Sequence, residues 1–565
     1  MKSASSPPSA FPAVHTATSD TRARAAAIGL ALLFAVLWLP NLDGRKLVRP
    51  DEARYAEIAR EMVVTGDWLT PRLNGYKYFE KPPLQYWATA AAFTAFGIGE
   101  WTARLWTGLT GFLGVLLAWY VANRLRGPPA GLYAAAALGG AVYYVVLGHV
   151  SSLDMSVSFF LSAAAFAIAL ALQDATSELE RRRWMLLAWA ACAAATLAKG
   201  LIGIVLPAGA VILYVLLQRD VALLKRLHLG RGLVVFLVLT APWFVAVSAA
   251  NPEFARFFFY HEHIERFLTH QHGRQGPLWY FVPILVGGML PWTLALLPAT
   301  RAGWQADPAA RFRPLRFLLV WASVVFVFFS VSGSKLPAYV LPLVPALAVV
   351  LGAALPAMNR RWVLAQAALC AVLGLGAALA APSLVMRRAR PELPAELLAA
   401  ALPWMLAALC ALAAGAVLAL LAESRGRRGA AVAALAAGGL VCAQLGLAGH
   451  GQLAPVHSAY HSAARIKNLI TPDVPFYSVD TFDHSLLFYL GRTMTMVQYP
   501  DELGESIRWT PDGFIPDMAT FERQWLADRD AFALLTPRDF AELERRGLPM
   551  TVVASDPRRV IVRKP

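Results

Sequence analysis

The chain is built from apolar runs of membrane-spanning length separated by short polar segments. The runs lie near residues 25–42, 103–123, 129–147, 155–172, 184–198, 201–217, 232–250, 278–299, 317–330, 338–356, 362–381, 400–421 and 430–449. Some fall below the roughly 20 residues of a typical span, so the boundaries are soft. The pattern predicts an all-α polytopic membrane domain of about thirteen transmembrane helices. The stretch 84–98 is also apolar, but it is short and carries Gln85, and it reads as an interfacial helix. Glu52–Val64 is amphipathic and is expected to lie along the membrane surface.

Beyond residue 450 the pattern changes. Strand-like pieces (Phe476–Val479, Thr493–Val497, Ala533–Thr536, Thr551–Ala554, Val560–Val562) stand between helical ones, Phe521–Ala527 and Arg538–Arg546. This predicts a small α/β domain over residues 451–565, outside the membrane. Residues 1–24 are rich in Ser, Pro, Ala and Thr and are expected to be a disordered cytoplasmic tail. The run Ala25–Leu42 is long for a signal-peptide core and lacks a small-residue cleavage site, so it is expected to stay as an anchor. Residues 25–450 then form the membrane domain, with 43–102 its first large outer loop. No inverted repeat of the transporter kind is visible.

Composition agrees with this layout. Of 565 residues, 58% are hydrophobic and 15% charged, against roughly a quarter charged in soluble domains. Mean hydropathy is +0.51. The net charge of +15 sits largely in alternate loops: Arg124/Arg126, Arg181–Arg183, Arg219/Lys225/Arg226/Arg231, Arg301/Arg311/Arg313/Arg316, Arg360/Arg361 and Arg425/Arg427/Arg428. Positive-inside topology makes these loops cytoplasmic and places 43–102, 251–277 and the C-terminal domain outside. An even number of spans would break the alternation. No basic, aromatic-interleaved module for nucleic acid is present, so anionic lipids and phosphates are the natural partners. Cys192, Cys370, Cys410 and Cys442 each lie in an apolar run, without CxxC or metal spacing, and read as small core residues.

Candidate chemistry gathers in the outer segments. Asp51 and Glu52 open a helix, where acids either cap it or face a cleft at the lipid boundary. Asp154, in Ser151-Ser152-Leu153-Asp154, is either the fourth member of a capping box begun by Ser151 or a functional carboxylate beside apolar helices. In Tyr78-Phe79-Glu80-Lys81-Pro82-Pro83, the prolines steer the chain into an interfacial helix, or Lys81 holds a phosphate head group. The segment Tyr260–Phe267 carries His261, Glu262, His263, Glu265 and Arg266, with His270 and His272 just beyond. It reads either as a solvated interfacial helix or as a divalent-metal site, with Arg266 snorkelling or gripping phosphate. Lys335 and Tyr339 lie in an outer turn, Gly333–Tyr339. Singly each motif is weak. Together they put acids and cations from five separated segments on one membrane face.

At these motifs the chain resembles the bacterial lipid A 4-amino-4-deoxy-L-arabinose transferases, members of the GT-C superfamily related to protein O-mannosyltransferases. The matching segments are RPDEARYAEIAREM, YFEKPPLQYW, SSLDMS, YHEHIERF with the later GPLWYF, and SGSKLPAY. The resemblance implies an inverting transfer of the aminopentose from undecaprenyl phosphate to a lipid A phosphate at the periplasmic face of the inner membrane, and hence polymyxin resistance. By position it makes Asp51 and Asp154 the essential acids. It assigns Lys81, Arg266, Tyr339 and Arg54 to the carrier phosphate, and Glu52, Glu80 and Lys335 to sugar or acceptor. Glu80 with His261 becomes a candidate site for Zn, Mg or Mn. The expected partners are the lipid-linked donor, lipid A and membrane lipids, with the chain acting as a monomer.

Two other readings remain. One keeps the superfamily and changes the substrates: a hexosamine onto lipid A, or mannose onto protein. The other is a lipid-linked sugar transporter, which predicts ionisable residues near the bilayer midplane. The spans are almost free of charge, which favours transfer.

Overall fold

The computed structural model describes Gly29, residues 32–265 and residues 276–565. The chain divides into two compact units, Met1–Pro40 and Asn41–Pro565. In the first, an apolar helix begins at Leu32 and its Phe34 and Trp38 rings lie 5.4 Å apart.

Among the described residues, eight helices are long and apolar enough to cross a membrane: Glu100–Arg126, Leu153–Ala171, Leu229–Ala250, Pro314–Val331, Pro337–Ala357, Arg360–Met386, Ala395–Ser424 and Arg428–Gly451. The other predicted runs, where described, form helices that are short, interrupted or charged at one end. Pro128–Gly139 and Val142–Leu147 are separated at Gly140 and Ala141, and Phe281–Gly288 and Leu296–Gln305 by a segment containing Pro291. Proline and paired glycines break a helix because they remove a donor or cost backbone entropy. Ile202–Gln218 has 17 residues and an internal Pro207. Glu178–Lys199 spends its first two turns on charged residues. Leu379 and Val238 are exposed on their helices; so much bare apolar surface is stable only against lipid. The chain is an integral membrane protein.

Helix packing is close where small residues face each other. A Cβ on Gly415 would lie 2.6 Å from the Ala434 carbonyl and 2.7 Å from Gly438 Cα, so Ala395–Ser424 and Arg428–Gly451 touch backbone to backbone there. Of the cysteines read as core residues, Cys192 and Cys370 are buried, but Cys410 is exposed and Cys442 only partly covered. In a membrane domain an apolar position faces lipid as readily as it faces core.

Five elements position the site: α1 (Asp51–Thr65), α2 (Leu84–Phe96), α3 (Glu100–Arg126), α4 (Leu153–Ala171) and α5 (Glu178–Lys199). A short hairpin, β1 (Arg72–Leu73) and β2 (Tyr76–Lys77), links α1 to α2. At about 1.5 Å per residue, α3 is roughly 40 Å long and separates two polar faces. At its start Glu100 accepts from Lys46 at 2.9 Å and from the Tyr489 hydroxyl at 3.3 Å. At its end Arg126 pairs with Asp307. The loops read as basic meet on this second face, where Arg311 binds Asp220 and Arg226 lies 3.7 Å from Asp174.

On the first face sits a six-stranded sheet, formed by β3 (Phe476–Val479), β4 (Thr495–Val497), β5 (Phe514–Ile515), β6 (Phe532–Leu535), β7 (Thr551–Ser555) and β8 (Val560–Arg563). The order is β5-β4-β3-β6-β8-β7. The first four run parallel, and β8 pairs antiparallel with both β6 and β7. Five strands match the predicted pieces. β5, two residues long, has too little sequence to show a period.

The amphipathic stretch does not lie along a surface. Residues Glu52–Met62 of α1 are all buried. Tyr55, Ile58, Ala59 and Met62 share one core with Tyr86 and Phe93 of α2 and with Leu486, Leu487 and Phe488 of the sheet domain. The helix looks amphipathic because its polar face holds ion pairs rather than water. Gly66 ends it in the left-handed region (φ 74°), returning its N–H to the Met62 carbonyl at 3.0 Å.

Glu52 anchors this arrangement. Arg104 of α3 donates to it twice, at 2.8 and 2.9 Å, Ser151 N–H donates at 2.9 Å, and Arg45 lies 3.7 Å away. Burial alone would push the Glu52 carboxyl up; Arg104 and Arg45 outweigh it and hold the group at about 2. The midspan is therefore uncharged, but the end of α3 carries a fully buried arginine.

Arg104→Leu leaves Glu52 buried without its main partner. Its expected cost is about 3–5 kcal/mol, read as a lower thermal midpoint of the detergent-solubilised chain; an unchanged midpoint contradicts this role. Because the folded value lies below the ordinary carboxylate value of 4.5, the stabilisation is present above that pH and lost as pH falls towards 2.

Candidate active site

Beneath the sheet domain lies a cavity of about 530 Å³. Asp51 and Arg54 reach it from α1, Glu80 and Lys81 from the turn before α2, Asp154 from α4 and Lys199 from the end of α5. Tyr55, His261 and Tyr339 complete the membrane-domain wall, and the sheet domain closes it with Tyr499, Asp501, Glu502, Glu505 and Arg508.

Each position follows from its element. Asp51 and Glu52 are adjacent on a helix and so point in different directions. Glu52 turns inward to Arg104, whereas the Asp51 side chain remains 47% exposed towards the cavity. Asp51 is not a cap: Pro50 occupies that position without a side-chain hydrogen bond. The capping box at Asp154 is also absent. Ser152 is the N-cap and accepts from the Asp154 N–H at 3.3 Å, while the Asp154 carboxylate pairs with Lys199. Lys199 lies over the Tyr339 ring, 4.7 Å from its centroid, which adds cation–π attraction to the ion pair.

Arg54 is the hub of the wall. Its Nη2 is 3.4 Å from Asp51 and its Nε 2.8 Å from Glu502, and its Nη1 donates to the Tyr78 hydroxyl at 3.3 Å. Burial would lower its pKa, but Tyr78, Glu502, Tyr55 and Asp51 hold it above its ordinary value. Burial would raise the Glu502 carboxyl; His484, 3.1 Å away, and Arg54 hold it down and ionised. Tyr55, Tyr78 and Tyr86 are pushed up chiefly by burial and stay neutral phenols. Lys81 donates to its neighbour's carbonyl at 2.7 Å, with the Glu80 carboxylate at 3.9 Å.

Asp51, Arg54, Glu80, Lys81, Asp154, His261 and Tyr339 thus share one cavity. Glu52 does not line it, because Arg104 takes its carboxylate. Lys335 does not either: its Nζ folds back onto the Ser332 carbonyl at 2.7 Å. Arg266, His270 and His272 lie outside the described residues. Among the described residues no group of three or more His, Cys, Asp or Glu is placed to hold a metal ion; Glu80 and His261 both line the cavity. Stacking of His261 on Phe257, ring centroids 5.2 Å apart, accounts for part of that side chain's position.

Sequence reasoning missed Lys199, Asp501 and Glu502. A single lysine closing an apolar run is a detectable signal, and Lys199 fits it. Asp501 and Glu502 carry none, since they sit in a surface-like acidic turn more than four hundred residues from Asp51. Gln498 and Asp501 adopt φ values of 62° and 48°, unfavourable for residues with a Cβ, and the turn between them carries Tyr499 and Asp501 into the cavity.

Chemically, the wall offers cations for an anionic leaving group beside carboxylates for a hydroxyl, an amine or a developing positive centre. Two family models match: the aminoarabinose transferase C-terminal domain over residues 462–564, and the dolichyl-phosphate-mannose-protein mannosyltransferase model over 25–258. The undecaprenyl phosphate-alpha-4-amino-4-deoxy-L-arabinose arabinosyl transferase 2 of Pseudomonas fluorescens is 37% identical over 364 residues, 62% of this chain. The chain spans about three fifths of the length of such curated relatives, 59% and 58% in two of them. Among solved structures, apo ArnT from Cupriavidus metallidurans superposes with a TM-score of 0.88 at 39% identity, covering 95% of this chain and 98% of that one. The same protein bound to undecaprenyl phosphate gives 0.89 and 38%, covering 97% and 98%. Likeness of this extent, through both the membrane helices and the sheet domain, shows that the chain belongs to the aminoarabinose transferase (ArnT) family.

Proposed function

We propose that this chain transfers 4-amino-4-deoxy-L-arabinose from undecaprenyl phosphate to a phosphate of lipid A, at the periplasmic face of the bacterial inner membrane, and so confers polymyxin resistance. The observation that carries this reading is the joining of Asp51, Arg54, Lys81, Asp154 and Lys199, from four separated segments, in one cavity on the sheet-domain side. The undecaprenyl phosphate bound to the Cupriavidus relative supports the choice of carrier. Thirteen crossings over residues 25–450, with the basic loops cytoplasmic, belong to this reading, as does a periplasmic sheet domain, 451–565.

In this mechanism an oxygen of the acceptor phosphate attacks C1 of the sugar from the face opposite the carrier. The C1–O bond breaks, the configuration inverts, and undecaprenyl phosphate leaves with the bonding electron pair. Lys81 and Arg54, with Arg266 as a further candidate, neutralise the departing phosphate; Tyr339 adds a hydroxyl. Preorganised charge of this kind is often the largest catalytic contribution. An acceptor phosphate oxygen is already anionic, so no strong base is needed. Asp51 orients the sugar and faces the positive charge that develops at C1. Asp154 acts through the Lys199 pair, which fixes the lysine over Tyr339.

The decisive measurement is mass spectrometry of lipid A from a strain lacking the gene, restored with the wild-type chain or variants, alongside polymyxin susceptibility. The wild-type chain restores an aminopentose on lipid A phosphate. A hexosamine increment instead overturns the sugar assignment. Asp51→Ala abolishes transfer, and Lys81→Ala lowers the rate about 10²–10³-fold. Carrier translocation lost in these variants while transfer persists would favour a transporter.

Lys199→Met and Asp154→Asn, singly and combined, form a double-mutant cycle. The expected coupling in transfer rate is about 0.5–3 kcal/mol; strict additivity removes the pair from the mechanism.

A further inference from the structure

A second cavity, of about 520 Å³, opens at the other end of α1. Asp51 and Glu61 are ten residues apart on this helix, so the two cavities are separated by roughly 15 Å along its axis. Arg60 and Glu61 of α1, Arg72 of β1, and Lys467 and Arg492 of the sheet domain line it. None of these residues takes part in the transfer chemistry above.

The charges here are unevenly satisfied. Arg60 is engaged by Glu57 at 2.7 and 2.8 Å. Arg72 donates to the Gly75 carbonyl at 3.1 Å and has Asp67 at 3.8 Å. Arg492 donates only to main-chain carbonyls, those of Thr471 at 3.2 Å and Val474 at 2.8 Å. Carbonyls orient a guanidinium without neutralising it. Among the described residues no carboxylate forms an ion pair with Arg492 or with Lys467. Glu61 shows the opposite imbalance. It is 5% exposed, its Oε2 accepts from the Gly75 N–H at 3.0 Å, and its Oε1 is buried with no donor among the described residues. A buried oxygen left without a donor costs stability unless a bound group supplies one.

We propose that this cavity is a second binding site for a phosphate-bearing head group, with the phosphate between Arg492 and Lys467 and a hydroxyl or amine of the same ligand donating to Glu61 Oε1. Two cations without acid partners suit a phosphate oxyanion, and the lone acceptor beside them selects a ligand that also carries a donor, as a sugar phosphate or a phospholipid head group does. The site goes beyond the transfer reading and does not depend on it.

The test uses the full chain in phosphatidylcholine nanodiscs, titrated calorimetrically with glucosamine 1-phosphate, glucosamine and inorganic phosphate. Glucosamine 1-phosphate binds saturably and more tightly than either of the others. Lys467→Glu together with Arg492→Ala weakens it about tenfold or more, whereas Lys81→Ala, in the other cavity, leaves this binding in place. Since Arg492 also holds two carbonyls, Lys467→Glu alone, at an exposed position, serves as the variant that keeps the fold and weakens binding severalfold. Glu61→Gln reduces the preference for glucosamine 1-phosphate over inorganic phosphate. Equal binding by the wild-type chain and both cation variants overturns the site, as does equal binding of glucosamine with and without its phosphate. Adding phosphatidylglycerol to the nanodiscs separates the sources: displacement of the probe assigns the site to a bilayer lipid, and undiminished binding assigns it to a soluble sugar phosphate.

Discussion

A carboxylate with 1% exposure at the edge of a membrane domain stays charged only where cations and N–H donors surround it, and Glu52 meets that condition through Arg104, Arg45 and Ser151. The three partners come from the segment before α1, from α3 and from the entry to α4. One ion cluster therefore fixes the start of α1 against α3 and against α4, which lines the cavity through Leu153 and Asp154. Asp51 and Arg54 inherit their positions from it, because a helix is rigid over a single turn. Lowering the Glu52 carboxyl to about 2 is worth roughly 3 kcal/mol of preference for the charged form, enough to hold a helix end that is otherwise only packed.

The adjacent acids Asp51 and Glu52 show how one motif serves two purposes. Turned about 100° apart on the helix, one carboxylate enters the buried cluster and the other the cavity. The same division recurs along α1, where Arg54 faces the first cavity and Arg60 with Glu61 the second. A helix that lay on a membrane surface would waste half of these side chains on solvent. Covered by the sheet domain, it presents polar groups to two enclosed spaces while its apolar residues join the common core.

The sheet domain also completes the cavity wall. Glu502 pairs with Arg54 at 2.8 Å and with His484 at 3.1 Å, so the guanidinium that faces the proposed carrier phosphate is held between an acid of the membrane domain and one of the sheet domain. Asp501 and Tyr499 enter on a strained turn. A membrane domain alone would leave this side of the cavity open to water, which weakens every charge–charge interaction inside it.

Much of this was legible in the residues themselves. Apolar length, alternating basic loops and the change of composition after residue 450 follow directly from burial in lipid and from strand periodicity, and they determined the class of fold. The motifs around Asp51, Lys81, Asp154 and Tyr339 were visible as ionisable groups at the ends of apolar runs, where each has to be explained. What only the tertiary structure decided was partnership. Glu52 and Lys335 looked as well placed as Asp51 and Lys81, but neither lines the cavity: one binds an arginine 52 residues away and the other folds onto its own turn. Lys199 and Glu502 gained their roles from segments 45 and 448 residues distant, Asp154 and Arg54. A sequence records which groups can carry charge. Whether a charge is spent on structure or left for a ligand depends on what lies within about 4 Å of it, and that is set by packing between remote parts of the chain.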